Sequence, residues 1–187
     1  MKNYIIKTSR LGLRKWNLID HAPFAAMNAD PKVMEHFPYI MTTQQTDDYL
    51  KRIYQHFEDY GFGVYAVDIL ETNEFIGYIG FSCPTWEAYF TPCVEVGWRL
   101  KASSWSKGYA TEGALACLDY GFNTIGFKSI YSWTATCNIP SERVMQKIGL
   151  LKIDEFDHPR IEKGDRLERH VLYGRDREFE KARKRDL

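Results

Sequence analysis

The sequence lacks the long apolar run that a membrane-spanning helix requires. No stretch approaches the roughly 18 consecutive apolar residues of such a helix, and residues 1–7 lack the apolar segment of a secretory signal. Neither sign of charge dominates, because 25 Lys and Arg balance 25 Asp and Glu. A neutral chain has no overall field to hold nucleic acid or an anionic membrane. We therefore expect a cytoplasmic protein with no direct nucleic-acid or membrane partner, which recognises its ligands at local sites.

Cysteine and histidine are few, and they show no metal-ligand spacing. The four cysteines form no CxxC pair, and the five histidines match no HExxH pattern. The cysteines lie in apolar or strand-like segments, which favours buried thiols over metal ligands or disulfides. No metal is predicted. The cysteines are Cys83, Cys93, Cys117 and Cys137.

Composition and periodicity predict a single domain over residues 1–187. The chain is 44% hydrophobic and 15% aromatic, which suffices for one core, and it contains no internal repeat, low-complexity tract or linker. Apolar periodicity predicts seven strands and four helices, so the helices must cover one sheet. The predicted strands are residues 10–16, 63–70, 75–83, 93–100, 129–136, 152–157 and 167–175, and the predicted helices are 17–29, 43–60, 111–120 and 140–148.

The segment from Trp105 to Ala110 lies between a predicted strand and a predicted helix. Small residues at Gly108 and Ala110 let the main chain approach a ligand closely. The unpaired N–H groups of the first helical turn and the helix dipole favour a phosphate there, and Lys107 can add a positive charge. Small residues before a helix also occur as plain packing, so this pattern alone leaves both interpretations open.

This arrangement resembles the acyl-CoA pyrophosphate loop of the GNAT N-acetyltransferases, whose pattern is Gln or Arg, two residues, Gly, one residue, then Gly or Ala. Trp105 departs from the first position of that pattern. Together with the continuation from Gly108 to Glu112, it is similar to the branch containing the ribosomal-protein N-terminal acetyltransferases, where an aromatic residue is common at that position. The resemblance implies an α/β (α+β) GNAT fold: a central, mixed, mostly antiparallel seven-stranded sheet flanked by helices, with strands splayed around the acyl-CoA site.

The resemblance also implies the residues that bind acetyl-CoA. The loop would bind the pyrophosphate, and a splayed strand before it would hydrogen-bond the pantetheine arm and polarise the thioester carbonyl through main-chain amides. The implied loop residues are Trp105, Ser106, Lys107, Gly108, Tyr109, Ala110 and Thr111, and the candidate amides belong to Trp98, Arg99 and Leu100.

A second motif, from Asn138 to Leu150, resembles the family segment that begins with Asn, two residues and Ser and ends in Lys-x-Gly. In the family, the Asn binds near the cofactor and the short helix lies beside the acetyl thioester. The alternative is that Asn138 and Ser141 only satisfy backbone groups at the start of a helix, which both residue types do commonly.

Acetyl transfer requires a neutral amine, donors for the oxyanion and a proton source for the departing thiolate. The resemblance implies Ser141 as the acid, because it lies near the thioester and serine has this task in the branch that the sequence resembles. The family often uses a Tyr in this helix, and the helix here contains none. Glu95 is the first candidate for the base, since it lies on the strand that should meet the cofactor. An ordinary exposed strand charge at Glu95, with a water chain as the base, is the alternative.

Aromatic residues near the amino-terminal helices and in the loop before residue 93 could form a wall around the acceptor amine. The candidates are Phe37, Trp86 and Tyr89. Such aromatics also serve as core or as a subunit contact, so a homodimer is an open alternative. His158 receives no role, and the basic segment Lys181–Arg185 is predicted to be a solvated tail.

The resemblance therefore implies an acetyl-CoA-dependent N-acetyltransferase that works by direct attack of an amine in a ternary complex. A protein N-terminal α-amine is the first acceptor considered. A small-molecule amine (a polyamine, amino acid or antibiotic) and a non-catalytic acyl-CoA sensor remain alternatives. A nucleotide hydrolase is excluded, because Lys107 precedes Gly108 and the G-x-x-x-x-G-K-[ST] pattern is missing.

Overall fold

Eight strands form one sheet in the computed structural model, which describes residues 3–177. Their spatial order is β1-β2-β3-β4-β5-β6-β8-β7. The strands are β1 (Ile6–Lys7), β2 (Leu11–Arg14), β3 (Val64–Ile69), β4 (Phe75–Ser82), β5 (Glu95–Leu100), β6 (Ser129–Ala135), β7 (Leu151–Asp157) and β8 (Arg169–Asp176). The helices are α1 (His21–Asn28), α2 (Thr43–Tyr60), α3 (Tyr109–Tyr120) and α4 (Ile139–Lys147).

The predicted mixed and mostly antiparallel sheet is confirmed, but the predicted number of seven strands is wrong. The additional strand is β1, which pairs with β2 through Ile6 opposite Leu13 and Lys7 opposite Gly12. Two residues are too few to show the alternation of apolar and polar side chains that identifies a strand in a sequence.

Strands β5 and β6 are parallel neighbours that separate almost at once. Their register contains a single pair, Glu95 beside Tyr131, supported by a 2.8 Å hydrogen bond from the Tyr131 N–H to the Val94 carbonyl. By contrast, β4 and β5 are paired from Gly77 opposite Leu100 to Ser82 opposite Glu95. The carboxyl-terminal half of β5 is therefore paired on one side and open on the other, which confirms the predicted splay.

Helices cover both faces of the sheet. Tyr78 of β4 packs against Phe24 of α1 and Tyr49 of α2, with ring centroids 6.1 and 6.3 Å away. The next residue, Ile79, contacts α3 so closely that a Cβ added at Gly113 would lie 2.3 Å from its Cδ1. Because consecutive strand residues point to opposite faces, α1 and α2 lie on one face and α3 on the other.

Local signals explain how well the helices were predicted. The bounds predicted for residues 43–60 are confirmed, because Thr42 and Gln45 form a reciprocal capping box and Gly61 ends α2 at φ 75°. The helix predicted over residues 17–29 is instead a single 3₁₀ turn, Leu18–Asp20, followed by α1. Asp20 is the last residue of this turn, and its carboxylate accepts from Arg14 Nη1 at 2.6 Å and, as part of a capping box, from the Asn17 N–H at 2.8 Å.

The cysteines differ in exposure. Cys117 is buried and Cys83 and Cys93 are partly buried, but Cys137 is exposed, so the prediction of a buried thiol is wrong there. All four are free thiols. No helix within residues 3–177 is long and apolar enough to cross a bilayer. The segment Lys181–Arg185 lies outside the described residues.

Candidate active site

The starts of two helices lie beside the opening between β5 and β6. Because these two strands run parallel, their carboxyl ends lie at the same edge of the sheet, and each is followed by a helix. Residues 101–108 lead from β5 to α3, residues 136–138 lead from β6 to α4, and the two helices are in contact. In α/β sheets, ligands bind outside the carboxyl ends of strands at such a divergence.

The amino terminus of α3 is shaped to receive an anion. Gly108 at the N-cap has φ 79°, Ser106 has φ 60°, and no side chain caps this helix start in the described part of the chain. The first-turn amides of Tyr109, Ala110 and Thr111 are therefore available, and the helix dipole adds partial positive charge. This backbone arrangement fits a pyrophosphate.

Glu112 fastens this loop to the turn between β1 and β2. Its carboxylate accepts from Thr8 Oγ1 at 2.5 Å, Ser9 Oγ at 3.1 Å and Arg10 Nε at 2.6 Å, and Arg10 Nη1 donates to the Lys107 carbonyl at 3.0 Å. Burial alone would raise the pKa of Glu112, but the Thr8 and Arg10 hydrogen bonds lower it below its usual value. Sequence reasoning assigned no role to Glu112, since its partners lie about a hundred positions away in the chain.

Trp105 supports the loop rather than offering its donor to a ligand. Its Nε1 donates to the Leu100 carbonyl at 2.8 Å, which ties the loop to the end of β5. Lys32 Nζ lies 5.7 Å from the centre of the Trp105 ring. Trp105 is 39% exposed, so the ring is only partly enclosed.

The register of β5 decides which of its amides face the opening. The Lys101 N–H donates to the Ile76 carbonyl of β4 at 2.8 Å, and donor directions alternate along a strand. The N–H of Arg99 is therefore directed towards Tyr78 of β4, whereas those of Trp98 and Leu100 are directed towards the side that β6 has left. Two of the three candidate amides can thus reach a ligand in the opening.

Glu95 begins β5 at the point where β5 and β6 part. Its Oε2 accepts from Ser82 Oγ at 2.9 Å. Burial raises the pKa of Glu95 to about 7, against a smaller lowering by the Ser82 hydrogen bond. The side chain is only partly exposed, so the alternative of an ordinary solvated strand charge does not describe it. A carboxyl that titrates near neutral pH is suited to accept a proton.

Asn138 caps α4 in the structure. Its Oδ1 accepts from the Ser141 N–H at 3.3 Å, and its Nδ2 donates to Thr134 Oγ1 at 2.9 Å. This is the helix-start role that the sequence left open as the alternative. The cap directs the first turn of α4, and with it the partly buried Ser141 side chain, to the edge where β6 ends.

The three aromatic candidates for acceptor binding are divided between two places. Phe37 lies over the guanidinium of Arg99, 3.9 Å from ring centre to Cζ. Trp86 packs against Trp133 of β6 at 5.4 Å, while Tyr89 is 67% exposed and donates to Asp154 at 2.8 Å. Because Glu95 pairs with Tyr131, the side chains of Glu95 and Trp133 share a face of the sheet, whereas Phe37 lies at Arg99, four residues farther along β5.

His158 belongs to the aromatic cluster around Trp86. Its ring lies 4.8 Å from those of both Trp86 and His170. Burial, followed by the neighbouring His170, lowers the pKa of His158 to about 4. The imidazole is therefore neutral at physiological pH and contributes packing. Within residues 3–177, no group of three or more His, Cys, Asp or Glu side chains could hold a metal.

A family comparison identifies the chemistry that this geometry serves. The acetyltransferase (GNAT) domain family matches residues 10–151. The chain belongs to the GNAT acetyltransferases. It is therefore an N-acetyltransferase, and acetyl-CoA is its acetyl donor. The uncapped start of α3 fits the pyrophosphate of this donor, and the open edge of β5 fits its pantetheine arm.

Relatives and solved structures agree with this assignment. The uncharacterised protein YkkB of Bacillus subtilis is 31% identical over 144 residues, covering 76% of this chain and 83% of YkkB. An acetyltransferase (GNAT family) from Bacillus anthracis superposes with a TM-score of 0.78 at 27% identity, over 92% of this chain and 98% of that one.

Two further structures share the GNAT fold at lower identity. The RimL ribosomal L7/L12 α-N-protein acetyltransferase, solved with coenzyme A, has a TM-score of 0.75 at 15% identity over 93% of this chain and 98% of its own. The spermidine N-acetyltransferase from Vibrio cholerae, solved with CoA and spermine, has a TM-score of 0.71 at 18% identity over 91% of this chain and 98% of its own. These GNAT enzymes have different acceptors on the same fold.

Proposed function

We propose that this GNAT acetyltransferase acetylates a protein N-terminal α-amine by direct attack of the amine in a ternary complex. The main support for the proposal is the position and the raised pKa of Glu95. This largely buried carboxyl lies where β5 and β6 separate, and its pKa is raised to about 7. The resemblance of the Trp105 loop to the ribosomal-protein branch supports the choice of acceptor.

This chain supplies a group for each step of the proposed reaction. Glu95 accepts the proton of the incoming ammonium group, which makes the amine nucleophilic. One of the Trp98 and Leu100 N–H groups hydrogen-bonds the oxygen on which negative charge develops, and the other hydrogen-bonds the pantetheine arm, because two amides two residues apart on a strand cannot share one oxygen. The attacking nitrogen loses a second proton as the thiolate departs. Ser141, positioned by the α4 cap, gives its hydroxyl proton to the thiolate and takes up the proton from the nitrogen, so its hydroxyl is restored. Acetyl-CoA supplies the activated thioester carbonyl, and the first turn of α3 holds its phosphates.

A small-molecule amine is the second candidate acceptor, because the same fold occurs in the spermidine N-acetyltransferase. We place the reaction in the cytoplasm, where acetyl-CoA and new protein N-termini occur together. A homodimer remains a prediction, which light scattering of the purified protein would test.

The experiment measures acetyl transfer from labelled acetyl-CoA into a desalted cytosolic extract recombined with its small-molecule fraction. Label confined to N-terminal peptides, and absent when the Glu95→Gln variant is used, supports the proposal. Label in the small-molecule fraction would show that the acceptor is a small-molecule amine and would leave the proposed reaction unchanged. No label in either fraction contradicts catalysis and favours the acyl-CoA sensor.

A further inference from the structure

Arg99 is a buried cation that no carboxylate of the described residues approaches. It is 8% exposed, and its Nε is buried and has no hydrogen-bond partner in the part of the chain that the structure describes. Within residues 3–177 it forms no ion pair. Arg14 is a useful comparison, because it is equally enclosed but lies between two carboxylates, Asp20 at 2.6 Å and Asp68 at 2.7 Å.

Neutral groups hold Arg99 in place. Its Nη1 donates to Asn28 Oδ1 at 2.7 Å, and the guanidinium carbon lies 3.9 Å from the ring centre of Phe37. Tyr49 and Tyr78 lie farther away, at 5.7 and 5.5 Å. These contacts orient the side chain, but they neutralise none of its charge, and burying an uncompensated charge is unfavourable.

Arg99 and Glu95 stand on the same face of β5, with Gly97 between them. Strand geometry places their Cα atoms about 13 Å apart, at about 3.3 Å per residue. Gly97 contributes no side chain to the space between them. A Cβ added there would meet only the Glu95 carboxylate, with Oε1 at 3.7 Å and Cδ at 3.9 Å. A strip of open main chain therefore runs between a carboxyl at one end and a guanidinium at the other.

We propose that the acceptor carries an anionic group, a carboxylate, which pairs with Arg99 while its amine lies at Glu95. This inference rests on the proposed acetyl transfer and narrows its substrate class. A guanidinium held in plane by an aromatic ring presents its remaining N–H groups as a fork that matches a carboxylate. Arg99 thereby acts as a specificity residue, and an acceptor with several amines and no carboxylate is disfavoured.

Two sources could supply this chemistry: a peptide N-terminus followed by an acidic side chain, or a free amino acid. The test compares kcat/KM for matched acceptors, namely peptides with Asp or Asn after the first residue, and amino acids against their carboxamides. We expect the wild type to prefer the carboxylate member of at least one pair by about tenfold or more. The pair that shows the preference identifies the source.

Two variants connect that preference to Arg99. Arg99→Gln should bring the carboxylate preference to within about twofold of unity. Asn28→Asp should do the same with the guanidinium intact, because it places a carboxylate against Nη1 at the 2.7 Å position now held by the amide. If Arg99→Gln does not fold, Asn28→Asp still tests the role of Arg99. Arg52→Gln is the matched control, since Arg52 is exposed and also lies over Tyr49.

The outcomes separate this inference from the proposed function. If the wild type acetylates both members of every pair equally, or if the preference survives in both variants, the role of Arg99 is wrong while acetyl transfer stands. If no acceptor in either series is acetylated, the proposed function itself fails.

Discussion

At the scale of single residues, the burial of Glu95 sets the pH range in which the site can work. A carboxyl with a raised pKa is protonated below about pH 7, and in that form it cannot take a proton from the acceptor. Activity that depends on ionised Glu95 is therefore lost as the pH falls through about 7.

Glu95→Gln should lower kcat/KM by about 100-fold or more at pH 8, the usual range for loss of a general base. It should also remove the ionisation near pH 7 from the pH–rate profile. The measurement is kcat/KM between pH 5.5 and 9 for the wild type and the variant. Glu58→Gln, a change at an exposed carboxylate of α2, is the matched control. A profile of Glu95→Gln with the wild-type limb intact would assign the base to a water chain.

Glu95→Gln should lower activity but should not lower the stability of the protein. Because the folded protein raises the pKa of Glu95, the ionised carboxylate opposes folding above its unfolded value of about 4.3. Denaturant unfolding at pH 8 should show Glu95→Gln to be at least as stable as the wild type, since the amide can still accept from Ser82. Reduced activity without reduced stability is typical of a functional site.

Ser141→Ala should lower kcat by about tenfold or more and leave the KM for acetyl-CoA unchanged, because the hydroxyl acts on the leaving thiolate. The helix cap does not depend on this hydroxyl, since Asn138 accepts from the Ser141 main chain. Steady-state kinetics with Ser103→Ala, an exposed serine, as the control would measure the effect. A higher KM at an unchanged kcat would make Ser141 a binding residue.

The sequence suggested Glu95 and Ser141 through the family resemblance and their positions on a strand and a helix, but it could not predict the electrostatic environment of either side chain. The raised pKa of Glu95 depends on burial, which three-dimensional packing decides. Arg99 was recognised only as a main-chain amide, because the partner of its side chain, Asn28, lies 71 positions away.

At the scale of elements, the start of α3 depends on the left-handed conformation of Gly108. A Cβ at Gly108 would meet little besides Arg10 Nη2, at 3.5 Å, so the requirement for glycine comes from φ 79° rather than from crowding. A β-branched side chain is strained in this conformation, by about 1–2 kcal/mol. The loop would relax to another shape and misdirect the first-turn amides.

Gly108→Val should therefore raise the dissociation constant of acetyl-CoA about tenfold, which calorimetry can measure. Gly126→Val is a matched control, because Gly126 has φ 92° with nothing within 4 Å of an added Cβ, and it lies beyond the carboxyl end of α3. The control should carry the backbone strain without the loss of affinity. Equal affinities for wild type and Gly108→Val would remove α3 from the acetyl-CoA site.

Elements with complete local signals were predictable, and those formed by distant partners were not. The bounds of α2 were predicted because the capping box and Gly61 mark both of its ends. The strand β1 was missed, because its two residues are ordered by β2 rather than by their own pattern. Capping by Asn138, a contact between residues three apart, was one of the two roles that the sequence indicated, and the structure contains it.

At the scale of the whole molecule, a buried ion network joins β2, β3 and the start of α1. Arg14 donates to Asp20 and to Asp68, and Tyr4 donates to Asp68 at 3.2 Å. Asp68→Ala should lower the free energy of unfolding by about 3–5 kcal/mol, because Arg14 would lose one of its two buried counter-ions. Denaturant unfolding would measure this, with Asp157→Ala, a solvated partner of Arg169, as a control of little effect.

In the whole molecule, we propose that acetyl-CoA binds where β5 and β6 part, along the open edge of β5 and the first turn of α3. Hydrogen–deuterium exchange with and without acetyl-CoA would locate this site. We expect slowed exchange at the amides of residues 106–111 and of Trp98 and Leu100, with little change at the Arg99 amide, which is already directed towards β4. Protection confined to other segments, with these amides unchanged on saturation, would place acetyl-CoA elsewhere.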